Sequence, residues 1–201
     1  MKDLRGQEVK KITQEDVLRI KSYFLNNDIR MYALFIIGIN MGLRISDLIK
    51  LKFEDITPEK KVYLIEKKTQ KKKMIKFNKG CQKMVKILEK EYTLQEIIPN
   101  GYLFKSYYRK FTKNRIDRHL SIVSVNKSLN TAKNNLNIPY PIGTHSMRKT
   151  WAYMVYNGEK EIGIVMEMLN HSSEKQTLTY IRADEDKYEK IYDKYILGFG
   201  G

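Results

Sequence analysis

Residues 144–154 read THSMRKTWAYM, and residues 169–181 read LNHSSEKQTLTYI. In the first stretch, His145 and Arg148 stand three residues apart at the start of a helical pattern, so they are neighbours on one face. Met147, Trp151, Met154 and Val155 form an adjacent apolar face, predicted to pack on a core. Both polar groups are expected in the first turn, where free backbone N–H groups favour an anion. In the second stretch, His171 follows a helix end at Asn170, a residue type that tolerates the left-handed backbone of a sharp stop. Tyr180 comes nine residues after His171 in a short apolar segment. Taken singly, each feature has a plain alternative: a solvated helix end, an exposed histidine, a core tyrosine.

Working outward, TQEDVLRIKSYFL at 13–25 reads as a first helix, with Thr13 as N-cap and Asp16 in a weak capping box. NNDIRMYALFIIGINMG at 26–42 reads as a buried helix, and LRISDLIKL continues helical after Gly42. Arg44 opens this last segment, with Asp47 three residues on and placed to hold its guanidinium. The period then changes. KVYLIEKK at 61–68 and KMIKFN at 73–78 are β-rich runs around a lysine-rich turn, a hairpin signature. Its tip, EKKTQKKK, carries five lysines able to reach into a groove or simply to solvate a turn.

Residues 81–92 return to helix, PNGYLF at 99–104 is a turn with an extended piece, and 124–138 form a basic helix with Ser124 as cap. Gly158 is the expected stop of the THSMRKTW helix. Ile162, Val165, Met166 and Leu169 then share one face of the next helix. The fold class expected is mostly α with a small antiparallel β-sheet (α+β).

The totals bound the function. The chain of 201 residues carries a formal net charge of +15, which points to a polyanion, with nucleic acid ahead of an anionic membrane surface. Its longest apolar run, MYALFIIGI, is far short of the ~20 residues needed to span a bilayer. The N-terminal stretch lacks the apolar region of a signal peptide. One cysteine, Cys81, excludes an internal disulfide and a cysteine-rich zinc site, and a reducing cytoplasm is the expected setting. No carboxylates stand at metal-ligand spacing, so neither a metal nor a cofactor is expected.

On GLRISDL (42–48), KKTQKKK (67–73), THSMRKTWA (144–152) and LNHSSEKQTLTYI, the chain resembles the catalytic domain of the tyrosine recombinases, the phage integrase family. The resemblance runs over nearly the whole chain. It implies that Arg44 and Arg148 grip a scissile phosphate, with His145 and His171 beside them. It makes Tyr180 the nucleophile, Lys68 the hairpin general acid and Asp47 the support of Arg44. Lys67, Lys71, Lys72 and Lys73 stand close enough to share the hairpin role. Asn170 departs from the glycine common at that position.

The implied activity is site-specific DNA recombination through a covalent 3′-phosphotyrosine, without metal or ATP. Type IB topoisomerase-like relaxation and a non-catalytic DNA-binding module are the alternatives. Arg109, Lys113, Arg115, Lys127 and Lys133, in mixed basic and amide-rich stretches, are expected backbone contacts to double-stranded DNA. A homo-oligomer on DNA, from dimer to tetramer, and accessory DNA-bending proteins are the expected partners, with no membrane. The expected organisation is one catalytic domain over 1–201. Residues 1–12 are its lead-in, and 183–201 a tail that docks on a neighbouring protomer or packs in cis. The core-binding domain that precedes this domain in many members is not expected, so the chain reads as either a fragment or a short natural member.

Overall fold

The structure, a computed structural model, describes residues 8–65, 72–108 and 116–181. Eight α-helices and one two-stranded sheet lie within them. Helix α1 spans Gln14–Asn27 and starts where Thr13 Oγ1 accepts from Asp16 N at 3.1 Å. The Asp16 carboxylate does not close a reciprocal capping box. It takes Tyr140 Oη at 2.5 Å and Arg19 Nη1 at 2.7 Å instead. Helix α2, Ile29–Met41, begins on the Asp28 side chain, which accepts from Arg30 N and Met31 N. It is buried on almost every side, as its nearly unbroken apolar sequence requires.

Helix α2 is the axis of the main core, packed by α1, by α4 (Lys79–Leu94) and by α6 (Thr144–Glu159). On α4 the buried residues are Cys81, Met84, Leu88 and Tyr92, a stripe at helical spacing. Burial pushes the Cys81 thiol up to about 12, so it is an inert core group.

Gly42 ends α2 in the left-handed region at φ +60, and α3 is one turn only, Ile45–Leu48. The helix expected to continue to Leu51 is therefore broken twice. The hairpin is present: β1 (Lys61–Ile65) pairs antiparallel with β2 (Lys72–Lys76), with Val62 opposite Ile75 and Ile65 opposite Lys72. Val62 and Ile75 face the core, while Tyr63 and Met74, also paired, face out.

Helix α5, Ile122–Asn135, is capped one turn earlier than expected: Ser121 Oγ accepts from Ser124 N at 3.0 Å, which makes Ser124 the capped residue. Helix α6 passes through Gly158 and stops at Lys160, left-handed at φ 59, whose N–H bonds Tyr156 O. The reason is positional, because the turn must fall directly before α7 (Ile162–Leu169). Met154 also departs from the expected core face. It is 47 % exposed and lines an open cleft of about 1040 Å³ between α6, α1 and residues 11–13.

A second, smaller core holds Trp151, Ala152, Val165, Leu169 and Ile181, with Tyr180 partly buried against it. It joins α6, α7 and α8 (Glu174–Ile181). This arrangement places the last described helix, and Tyr180 on it, against the start of α6. Among the described residues no helix is long and apolar enough to cross a membrane.

Candidate active site

Arg148 is not the surface group a helix-end reading would make it; it is 2 % exposed. One guanidinium nitrogen donates to Gly42 O at 2.5 Å, and another donates to Leu169 O at 2.6 Å. Both acceptors are carbonyls at helix C-termini, where the backbone leaves oxygens unpaired and the helix dipole favours a cation. The planar fork thus ties the end of α2 to the end of α7, and the main core to the small one. Arg148 also acts on the Tyr180 phenol, whose ionised form its charge favours.

His145 lies one turn earlier on α6, and its Nδ1 stands 3.0 Å from the Tyr180 hydroxyl. The start of α6 is fixed by Asn126 Oδ1, which accepts from Thr144 N at 3.1 Å, and by Ser146 Oγ, which accepts from Gly143 N at 3.1 Å. His171 meets the ring of Tyr180 edge to face, with centroids 5.3 Å apart at 78°. Asn170 makes this possible. It adopts φ 54, ψ 47, so the chain turns sharply out of α7 and carries His171 back over α8. His171 Nδ1 then lies 3.1 Å from Thr177 Oγ1, a buried hydroxyl on α8. Two of the chain's three histidines therefore bracket one of its 14 tyrosines.

Arg44 caps α3 in extended geometry and is half-buried. Its charge, with that of Arg148, pulls the Tyr180 phenol toward the ionised form. Burial is the larger influence and sets the Tyr180 phenol above its ordinary 10. His145 is pushed the other way, below 6.5, first by lost hydration and then by the cations Arg148, Lys149 and Arg44. The lowering favours an uncharged imidazole beside the Tyr180 hydroxyl.

Asp47 lies three residues after Arg44, on α3. It is buried, its Oδ1 accepts from Ser46 Oγ at 3.3 Å, and its Oδ2 has no hydrogen-bond partner among the described residues. Its backbone N–H donates to Arg44 O at 2.9 Å, which places it in the turn that Arg44 opens.

Of the hairpin lysines, Lys72 is exposed at the end of β2, while Lys67, Lys68 and Lys71 lie outside the described residues. Arg109, Lys113, Arg115 and the tail from 183 also lie outside them. Lys127 is exposed and Lys133 half-buried on α5. Two residues of the site, Thr177 and Lys149, were missed in the sequence, whereas Lys73 was among the hairpin lysines expected there. Lys73 on β2 donates to Met168 O, the carbonyl just before the one Arg148 holds, and so moors the hairpin to the end of α7. Thr177 aims His171. Lys149, four residues after His145 and buried, lies 5.5 Å from the centre of the Tyr180 ring. The i, i+4 spacing from His145 was the available signal for Lys149. Among the described residues no cluster of three His, Cys, Asp or Glu could hold a metal ion.

Comparison with known proteins agrees with this geometry. Residues 10–187 match the phage integrase family. A probable integrase/recombinase of Bacillus subtilis, YoeC, is 35 % identical over 178 residues, which are 89 % of this chain and 91 % of that protein. The tyrosine recombinase XerH of Campylobacter jejuni is 27 % identical over 173 residues, covering 82 % of this chain but 44 % of that one. Among solved structures, XerH bound to its palindromic difH substrate superposes with a TM-score of 0.72 at 19 % identity, over 96 % of this chain and 55 % of that one. XerA recombinase gives 0.71, over 94 % and 66 %. At such identities the likeness to the solved structures is one of fold. The chain is thus similar in length to one relative and spans about half of others. The chain belongs to the phage integrase family, the tyrosine recombinases.

Proposed function

We propose that this chain cuts and rejoins DNA at specific sites through a covalent 3′-phosphotyrosine intermediate, with Tyr180 as nucleophile. The observation that carries the reading is the Tyr180 hydroxyl, held 3.0 Å from His145 Nδ1, with the Arg148 charge favouring its ionised form. A phenol raised by burial is a poor nucleophile alone. Here a neutral imidazole stands ready to take its proton, and two arginines stabilise the charge that results.

The step balances simply. Tyr180 Oη forms a bond to the scissile phosphorus, and the P–O5′ bond breaks. The phenol proton goes to His145, and Lys68 gives one to the departing 5′-oxygen. One phosphodiester is exchanged for another, so a second 5′-hydroxyl can reverse the step on a new strand without ATP. Arg44 and Arg148 match the non-bridging oxygens of the transition state with planar donor forks. Groups of this type contribute about 10³ to 10⁵ in rate at other phosphoryl transition states. They occupy the role that divalent cations have in two-metal nucleases, so the reaction is expected to proceed in EDTA. His171, aimed by Thr177, is the further donor to the phosphate.

The duplex lies across the basic face, with Lys67, Lys71, Lys72, Arg109, Lys113, Arg115, Lys127 and Lys133 on sugar-phosphate backbone. Recombination pairs two duplexes, so the working assembly is a dimer to tetramer on DNA, with residues 183–201 docking between protomers and bending proteins assisting. A nicked suicide duplex made from DNA flanking the gene, incubated with the protein in EDTA and denatured in SDS, tests the reading. A slower band that disappears in Tyr180→Phe supports it. A band that persists in Tyr180→Phe refutes the assignment of the nucleophile.

A further inference from the structure

Before α1 begins, residues 8–12 lie as a strap across α6. Lys10 N donates to Pro141 O at 2.9 Å, and Ile12 N donates to Thr150 Oγ1 at 2.8 Å. Lys11 Nζ sits 4.2 Å from the centre of the Tyr153 ring. The strap is thus fixed to the same helix that carries His145 and Arg148. Its first described residue, Glu8, reaches Lys149 Nζ with Oε1 at 2.5 Å.

Lys149 is 7 % exposed, an unusual setting for a lysine, whose ammonium is normally kept in water. Its burial is compensated by two groups: the Glu8 carboxylate, and the ring of Tyr180 with its centre 5.5 Å away. The two compensating groups differ in freedom. The Glu8 side chain is 63 % exposed, whereas the ring is packed into the small core. The carboxylate can therefore swing into water when another anion approaches Lys149, and the ring cannot.

We infer that Lys149 and Glu8 are positioning residues for Tyr180, a role that rests on the nucleophile assignment above. Lys149 seats the phenol ring in front of His145 and Arg148, and Glu8 holds Lys149 while offsetting its charge. The charged and titratable groups facing Tyr180 are Arg44 before α3, His145, Arg148 and Lys149 on α6, His171 after α7, and Glu8 on the strap. Of these, Glu8 opposes ionisation of the phenol. The strap is then a restraint on the nucleophile, and it is relieved when the scissile phosphate replaces Glu8 as the anion beside these cations.

The test is the single-turnover rate of Tyr180–DNA adduct formation on the same suicide duplex, from about pH 6 to about pH 9, for four proteins. These are the unaltered chain, Lys149→Met, Lys149→Arg and Glu8→Gln, each with its thermal unfolding midpoint. Lys149→Met should slow adduct formation about tenfold, and Lys149→Arg should restore most of it. Glu8→Gln should move the rising limb of the profile down by about half a pH unit, a gain of about threefold on that limb. A role confined to folding predicts lower midpoints and no movement of the profile. Lys149→Met and Glu8→Gln profiles that superimpose on the unaltered one, beside a normal Tyr180 adduct, overturn the pair alone. If Lys149→Met does not fold, the Glu8→Gln profile decides. An unaltered chain that forms no Tyr180 adduct overturns the nucleophile assignment, and the pair with it.

Discussion

Replacing Arg148 by methionine removes the fork but keeps much of the apolar stem. The structure gives this change a stability cost separate from any catalytic one. Two charge-assisted bonds are lost, to Gly42 O at 2.5 Å and to Leu169 O at 2.6 Å. Each bond to a charged group contributes about 1.5 kcal/mol at the low end, so the pair amounts to about 3 kcal/mol. Both carbonyls also stay buried without a donor, which rules out a neutral outcome. For a chain of this size a urea slope of about 2 kcal/mol/M turns that loss into a midpoint lowered by about 1.5 M. Equilibrium unfolding in urea, followed by far-UV circular dichroism, reads it directly. Lys127→Met, at an exposed position of α5, is the control and should stay within about 0.5 kcal/mol. An arginine that served only to await phosphate would be a buried cation under strain, and its removal would leave stability unchanged or raise it. An Arg148→Met midpoint equal to or above that of the unaltered chain therefore refutes the tie between α2 and α7.

Three further outcomes follow from the same geometry. Gly42→Ala should destabilise by about 2–4 kcal/mol in thermal unfolding, because φ is +60 and an added Cβ would meet Trp151 at 2.3 Å. Asn170→Gly should fold normally and keep its DNA adduct rate, while Asn170→Val should lose about 1–2 kcal/mol and displace His171, since φ 54 is strained for a β-branched residue. The adduct rate should not report a titration of His145 at neutral pH. His145 is held below 6.5, so it stays an acceptor above that value and is lost only as the pH falls through its depressed pKa; a loss centred above 6.5 contradicts the assigned role.

The sequence and the structure agree where the chemistry is carried by spacing. His145 and Arg148 at i and i+3, Asn170 before His171, and Tyr180 nine residues on were legible because each spacing has a local geometric consequence. So was the hairpin, because lysines flanking alternating apolar residues leave few other readings. What was not legible depends on contacts distant in sequence. Lys149 reads as a solvated lysine until the strap from residue 8 and helix α8 close over it. Arg148 reads as a surface group until the carbonyls of Gly42 and Leu169 arrive from helices that end 106 and 21 residues away. The cap at Ser121 instead of Ser124 is a choice between two equivalent hydroxyls one turn apart, decided by the burial of Val125, Leu129 and Ala132.

The most direct measurement of the central claim is the identity of the residue joined to DNA. The adduct formed on the suicide duplex would be digested with nuclease and trypsin, and the nucleotide-bearing peptide sequenced by mass spectrometry. Tryptic cleavage after Lys175 and Arg182 leaves the peptide QTLTYIR, in which Tyr180 is the one tyrosine. The account predicts a 3′-phosphonucleotide on Tyr180 in that peptide, formed in the presence of EDTA. A modified residue in any other peptide, or an adduct that forms only with a divalent cation, would contradict it.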